Sequence, residues 1–241
     1  MSNSPLVVYT QISPHKGNLV GKTYVPARNH VIDTITIHCF VGQVTVERAG
    51  QSFNGASPKS ANYAVAYDGK IGLYVDECDR SWCTSSANND NRAVTIEVAS
   101  DSTAPYKVTD AALASLIALC ADICRRNGIK ALLWRGDKSL AGQVDKQNMT
   151  VHRWFTGKAC PGDYLYNLHG YIADEVNKKL LEDSMASEQT PAWAEKYIAW
   201  CKEAKVMVGD PDGKFRPNDN VTRAEMAAIA YNLAHLPDDK K

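Results

Sequence analysis

Val31-Ile-Asp-Thr-Ile-Thr-Ile37 is β-branched with a period-two component, which predicts a strand ending at His38-Cys39-Phe40. Tyr63-Ala-Val-Ala-Tyr67 and Ile71-Gly-Leu-Tyr-Val75 flank Asp68-Gly69-Lys70, the pattern of a hairpin with an Asp-Gly turn. Ala93-Val-Thr-Ile-Glu-Val98 supplies a third strand. Helical spacing begins after Thr109-Asp110, where Leu113, Leu116, Ile117, Cys120, Ile123 and Cys124 share a face, and Asn127-Gly128 supplies the stop. A second helix is predicted from about Leu165 to Leu181, with Leu168, Ile172, Val176 and Leu180 on its stripe. Strands and helices mixed in this way predict an α/β fold, a mixed central β-sheet flanked by helices, over residues 1–181.

The pattern changes after Leu181. Glu182-Asp-Ser-Met-Ala-Ser-Glu-Gln-Thr-Pro191 is polar and closed by proline, which suits a linker over 182–191. Beyond it, Trp193 to Ala204 has apolar residues at helical spacing. Thr222 followed by Glu225 marks the start of another helix. The turn-rich Val208-Gly-Asp-Pro-Asp-Gly-Lys-Phe-Arg-Pro217 lies between them. Residues 192–236 therefore read as a small α-helical C-terminal module.

Charge narrows the partners. Lys+Arg and Asp+Glu balance at 27 each in the 241 residues, so no global field draws the chain to nucleic acid or to an anionic membrane. The first residues lack a basic stretch followed by an apolar run, and no segment is apolar enough to span a bilayer. The expectation is a protein made in the cytoplasm without a signal peptide. Seven scattered cysteines do not form the framework of a small secreted domain, so reduced thiols are expected. Cys120 and Cys124, one helical turn apart in an apolar run, read as small hydrophobes rather than as a metal pair.

The chemistry concentrates in Val151-His-Arg-Trp-Phe-Thr-Gly-Lys-Ala-Cys-Pro-Gly-Asp163, which offers His152 and Cys160 eight residues apart with Lys158 beside the thiol. A catalytic zinc needs three protein ligands and an open position. His38, held at the end of an apolar strand, is the best third candidate; His15, His30, His169 and His235 lack such a setting. His38 alone reads equally well as a satisfied structural histidine. Two neutral imidazoles and a thiolate leave a net +1, enough to bring the pKa of bound water from about 15.7 toward roughly 7. Glu97 reads either as the base for that water or as a solvated strand carboxylate. Lys158 reads either as a cation for the developing oxyanion or as a surface lysine.

Thr36-Ile-His-Cys-Phe40, Ser60-Ala-Asn-Tyr63, Asp68-Gly69, Arg80-Ser-Trp82, Asn91-Arg-Ala-Val-Thr-Ile-Glu97 and His152 to Gly162 follow one another in a familiar order. In this order the chain resembles the type-2 N-acetylmuramoyl-L-alanine amidases, in their phage-lysin branch, which share a fold with peptidoglycan recognition proteins. The resemblance covers roughly residues 5 to 180. It implies zinc held by His38, His152 and Cys160, with Glu97 as base, Lys158 as transition-state cation and Tyr63 near the site. It implies peptidoglycan as substrate, cut between N-acetylmuramic acid and L-alanine. Relatives often carry histidine where this chain has Asn62, and a Trp-His pair where it has Trp82-Cys83.

Trp193-Ala-Glu-Lys-Tyr-Ile198, the loop Val208 to Pro217 and Thr222-Arg-Ala-Glu225 resemble one surface-layer-homology repeat. That resemblance implies binding of pyruvylated secondary cell-wall polymer through Trp193, Gly209, Asp210 and Arg223, an arginine fork suiting a carboxylate. Such modules usually come in threes, so a single copy points to assembly of several chains or to weak binding. The expected protein is an endolysin directed to the cell wall. The alternatives are a host autolysin or recycling amidase, and a peptidoglycan-binding protein without catalysis.

Overall fold

The structure, a computed structural model, describes residues 2–20, 23–25, 27–188, 190–210 and 214–237; Pro211, Asp212 and Gly213 of the predicted tail loop lie outside them. The chain divides into two compact units, 1–180 and 181–241. In the first unit the elements run β1 (Tyr9–Thr10), β2 (Asn18–Val20), β3 (Thr23–Val25), β4 (Thr34–Cys39), α1 (Val46–Phe53), β5 (Tyr63–Val65) and β6 (Ile71–Leu73). They continue with α2 (Ala87–Arg92), β7 (Ala93–Val98), α3 (Asp110–Asn127), β8 (Met149–Thr150) and the start of α4 (Gly162–Glu188), whose last turns belong to the second unit.

Six strands form one sheet in the order β1-β6-β5-β7-β4-β8. Only β5 and β6 pair antiparallel, as the Asp68-Gly69 hairpin requires; the other neighbours are parallel. The expected α/β class with a mixed central sheet is what forms. β2 and β3 make a separate antiparallel pair. β4 starts at Thr34 rather than Val31: Val31 is 65% exposed, and the Asp33 carboxylate is taken up by the Arg92 guanidinium at 2.6 Å.

The sheet's two faces are chemically different. Ile35, Ile37 and Cys39 of β4, with Val94, Ile96 and Val98 of β7, face the main core beneath α3 and α4. Burying each of the large aliphatic side chains fully is worth about 1.5–3 kcal/mol. Thr34, Thr36 and His38 are also buried, but on the opposite face. There Thr36 and Thr150 share a 2.7 Å hydrogen bond, and Asn89 of α2 donates to Thr36 Oγ1 at 3.0 Å and accepts from Thr150 Oγ1 at 2.8 Å. A buried polar face is stable because its groups are paired. Further along this face α1 covers a smaller cluster of Ala49, Phe53, Ala61, Ala64 and Tyr74.

α3 forms where the apolar spacing predicts it, with the Thr109 side chain accepting from Ala112 N–H and Gly128 as a left-handed cap. Cys120 and Cys124 are fully buried in the main core, as small hydrophobes. α4 begins three residues earlier than expected and runs on through Glu188, across most of the predicted linker. The polar stretch Glu182 to Glu188 contains no proline or glycine, so nothing in it stops a helix already under way.

In the second unit, α5 (Glu195–Glu203) and α6 (Arg223–Ala234) flank the loop. The predicted cap of α6 is a complete capping box, Glu225 N–H donating to Thr222 Oγ1 and Thr222 N–H to Glu225 Oε2. No described helix is long and apolar enough to cross a membrane.

Candidate metal centre

Register across the sheet decides which side chains meet. Ala64 of β5 pairs with Glu97 of β7, and Glu97 with His38 of β4, so these three share one row and one face. The neighbouring row is Tyr63, Ile96 and Ile37, which points the other way. His38 and Glu97 thus lie side by side at the carboxyl ends of two parallel strands, where open α/β sheets place their ligands.

The other donors arrive from the far edge. β8 pairs with β4 through Thr36 and Thr150, and the chain leaves it through Val151 into a short 3-10 turn, His152–Trp154. Cys160 then precedes α4, whose first residue, Gly162, has φ +78°; a Cβ there would come within 2.8 Å of Tyr106 and 3.0 Å of Pro105 O. Only glycine turns the chain into α4 so close to Cys160.

The result is a cluster in which one donor atom each from His38, His152 and Cys160 lies within 4.8 Å of the others. His38 Nδ1 is 3.3 Å from Cys160 Sγ, and the His38 and His152 rings are 5.0 Å apart. Glu97 Oε1 is 4.0 Å from His38 Nδ1 and 3.9 Å from the Cys83 thiol. His38 Nε2, His152 Nε2 and Glu97 Oε2 are buried without hydrogen-bond partners.

The electrostatics suit cation binding. Burial, then the nearby His152, holds His38 well below the ordinary histidine range. Burial, then the Lys158 charge, brings His152 down to about 4. Both imidazoles are therefore neutral, the ligating form. Hydrogen bonding to Cys39, then burial, keeps the Cys160 thiol protonated, so a cation must displace that proton to bind. Burial also pushes Glu97 up to about 8. Buried orphan nitrogens beside a thiol and a raised carboxyl fit the His-His-Cys donor set of a catalytic zinc site.

The sequence-predicted residues separate into those the fold gathers and those it does not. His38, His152, Cys160 and Glu97 converge. Lys158 is exposed on the loop before Cys160, and its charge is felt at His152, His38 and Glu97. Tyr63 does not join them: it is fully buried on the opposite face, donating to Glu77 Oε1 at 2.6 Å and accepting from Ser4 N–H at 2.9 Å. Asn62 is on the site's face but locked, its Oδ1 accepting from Thr95 N–H and Arg28 Nη2. Cys83 stands beside Glu97, its Sγ 3.9 Å from Glu97 Oε1.

In the second unit a cavity of about 770 Å³ is lined by Gly209, Asp210, Arg216, Thr222, Glu225 and Asn232 among others. Gly209 has φ +84°, and a Cβ there would meet Lys214 O at 2.6 Å, so the turn requires glycine. Asp210 is engaged by Arg216 Nε at 2.5 Å. Trp193, 75% exposed, and Arg223, the first residue of α6, are not among the lining residues, so the four predicted polymer-binding residues do not share one cavity. Arg216, within the motif but not singled out by it, does line it.

Residues 28–163 match the model of the family described as N-acetylmuramoyl-L-alanine amidase. The chain belongs to this amidase family. Residues 187–227 match the S-layer homology domain, so the amidase unit is followed by a module of that type. No curated protein matches the chain by sequence. Among solved structures, a mutant endolysin from Bacillus subtilis is 16% identical with a TM-score of 0.47, covering 70% of this chain and 97% of that one. An N-acetylmuramoyl-L-alanine amidase from Clostridium intestinale is 18% identical with a TM-score of 0.44, covering 66% and 93%. A Drosophila peptidoglycan recognition protein is 16% identical with a TM-score of 0.45, covering 58% and 79%.

Proposed function

We propose that this chain is a zinc-dependent endolysin that hydrolyses the amide between the lactyl group of N-acetylmuramic acid and L-alanine. The observation that carries the reading is the cluster of His38, His152 and Cys160 donors, neutral or awaiting proton loss, beside Glu97. In it His38, His152 and Cys160 would hold the ion, which when bound would acidify water and polarise the scissile carbonyl.

Glu97 takes the proton of the attacking water. Its Oε2 is buried without a partner and so is free to accept, while Cys83 and His38 lie beside Oε1. Burial alone would leave this carboxyl largely protonated at neutral pH, and a neighbouring cation favours its charged form. The same carboxyl then delivers the proton to the departing L-alanine amine. Lys158, exposed on the loop before Cys160, brings positive charge toward the carbonyl oxygen as it gains negative charge.

The C-terminal module supports a lysin rather than a recycling enzyme. A wall-binding unit on the same chain raises the effective concentration of the catalytic unit on intact wall, and does nothing for soluble fragments. The test is to strip the protein with chelator and assay it on purified peptidoglycan with zinc restored. Activity should vanish and return with about one equivalent of zinc per chain; undiminished activity in chelator would overturn the metal assignment.

A further inference from the structure

We propose that Arg153 is a positioning residue that clasps the loop between two of the assigned metal ligands, an inference that rests on the zinc reading above. It follows His152 directly, and its contacts converge on the loop's other end. Its backbone N–H donates to Cys160 O at 2.9 Å. Its Nη2 donates to Ala159 O at 2.8 Å and to Asp163 Oδ1 at 3.0 Å. The guanidinium lies 4.6 Å from the centre of the Tyr166 ring on α4.

One side chain therefore joins the turn that carries His152 to the end of the loop that carries Cys160 and to the helix that follows. The ion pair with Asp163 adds little, since Asp163 is 73% exposed. The carbonyl contact and the ring contact carry the clasp. Arg153 also keeps its Nε buried with no acceptor, an arrangement that does not favour stability. Its function is geometric: without it the loop between His152 and Cys160 has to be ordered when the ion binds.

The planar fork matters as much as the charge. A lysine ammonium at this position is a point donor that cannot both reach Ala159 O and lie flat on Tyr166. Arg153→Lys and Arg153→Met should each weaken zinc binding by about 10–100-fold, the usual effect of losing a group that orients a ligand. The measurement is competition for zinc against a chromophoric chelator with the full chain, alongside the urea midpoint of each metal-free protein. A positioning role predicts weaker zinc with the metal-free midpoint of Arg153→Lys unchanged. Wild-type zinc affinity in Arg153→Lys would overturn it, as would a zinc loss matched by a fall in the metal-free midpoint. If the unaltered chain bound no zinc, the functional reading itself would fail, a result distinct from either.

Discussion

His38 Nδ1 and Cys160 Sγ lie 3.3 Å apart although 122 residues separate them in the chain. One ends a central strand and the other precedes a helix, so the contact exists only in the folded unit. On the proposed zinc reading, affinity for the ion is a property of the fold and depends on the thiolate. Cys160→Ser offers an alcohol in place of a soft ligand. Outer-shell changes already cost 10–100-fold, so zinc affinity should fall by at least about 100-fold. Equilibrium competition with a chelator measures it, and unchanged affinity would remove Cys160 from the ligand set.

Glu97→Gln keeps the shape of the side chain and removes its capacity to take a proton. Turnover should drop about 10²–10⁴-fold while zinc is still bound. Steady-state rates together with metal content separate this from loss of the ion. Full turnover in Glu97→Gln would show that another group is the base.

Tyr63 supplies the opposite control. Its hydroxyl serves the buried Glu77, which also pairs with Arg126 at 2.6 Å, and it faces away from His38. Tyr63→Phe should lower unfolding free energy by about 1.5–3 kcal/mol, the worth of a hydrogen bond to a charged group. Turnover at a temperature where the variant is folded should be unaltered. Urea titration and rate measurement test the two halves separately.

His169 makes stability sensitive to acid. Burial holds its pKa down to about 4, below the ordinary 6.5, while its Nδ1 contacts Leu165 O at 2.6 Å. The unfolded chain binds this proton first as pH falls, so stability is lost between about pH 6.5 and 4, by up to about 3 kcal/mol for this group. His169→Phe, whatever its effect at pH 7, should show a shallower loss over that window in pH-dependent urea midpoints. An equally steep loss would assign the effect elsewhere.

A chain ending at Glu188, which keeps α4 whole, should cleave soluble muropeptides at the full-length rate and be retained less by intact walls. Co-sedimentation with walls gives the second quantity. Equal retention would remove the module's proposed role.

Much of the scaffold was legible because its signals are local. β7 and α3 form where alternation and helical spacing put them, and Thr109, Gly128 and Thr222 punctuate as their types predict. α2 was not legible. Ala-Asn-Asn-Asp-Asn-Arg is a poor helix by propensity, and it forms because Ser86 caps it and the buried Asp90 accepts hydrogen bonds from Cys83 N–H, Thr84 N–H and Thr84 Oγ1. In the site, His152 and Cys160 were visible through their spacing, whereas His38 needed the ordered motifs around it. Tyr63, put near the site by the resemblance alone, lies in the row of Ile96 and Ile37, and that register between strands is not readable from one strand. Arg153 carried no signal of its own beside His152, since its part lies entirely in contacts across the loop.

The most direct measurement is of the bond that is cut. Purified peptidoglycan digested by the zinc-loaded protein should release new L-alanine amino termini in step with solubilisation, with no new reducing sugars. Reducing ends without new amino termini, or no cleavage by protein that has bound zinc, would contradict the account.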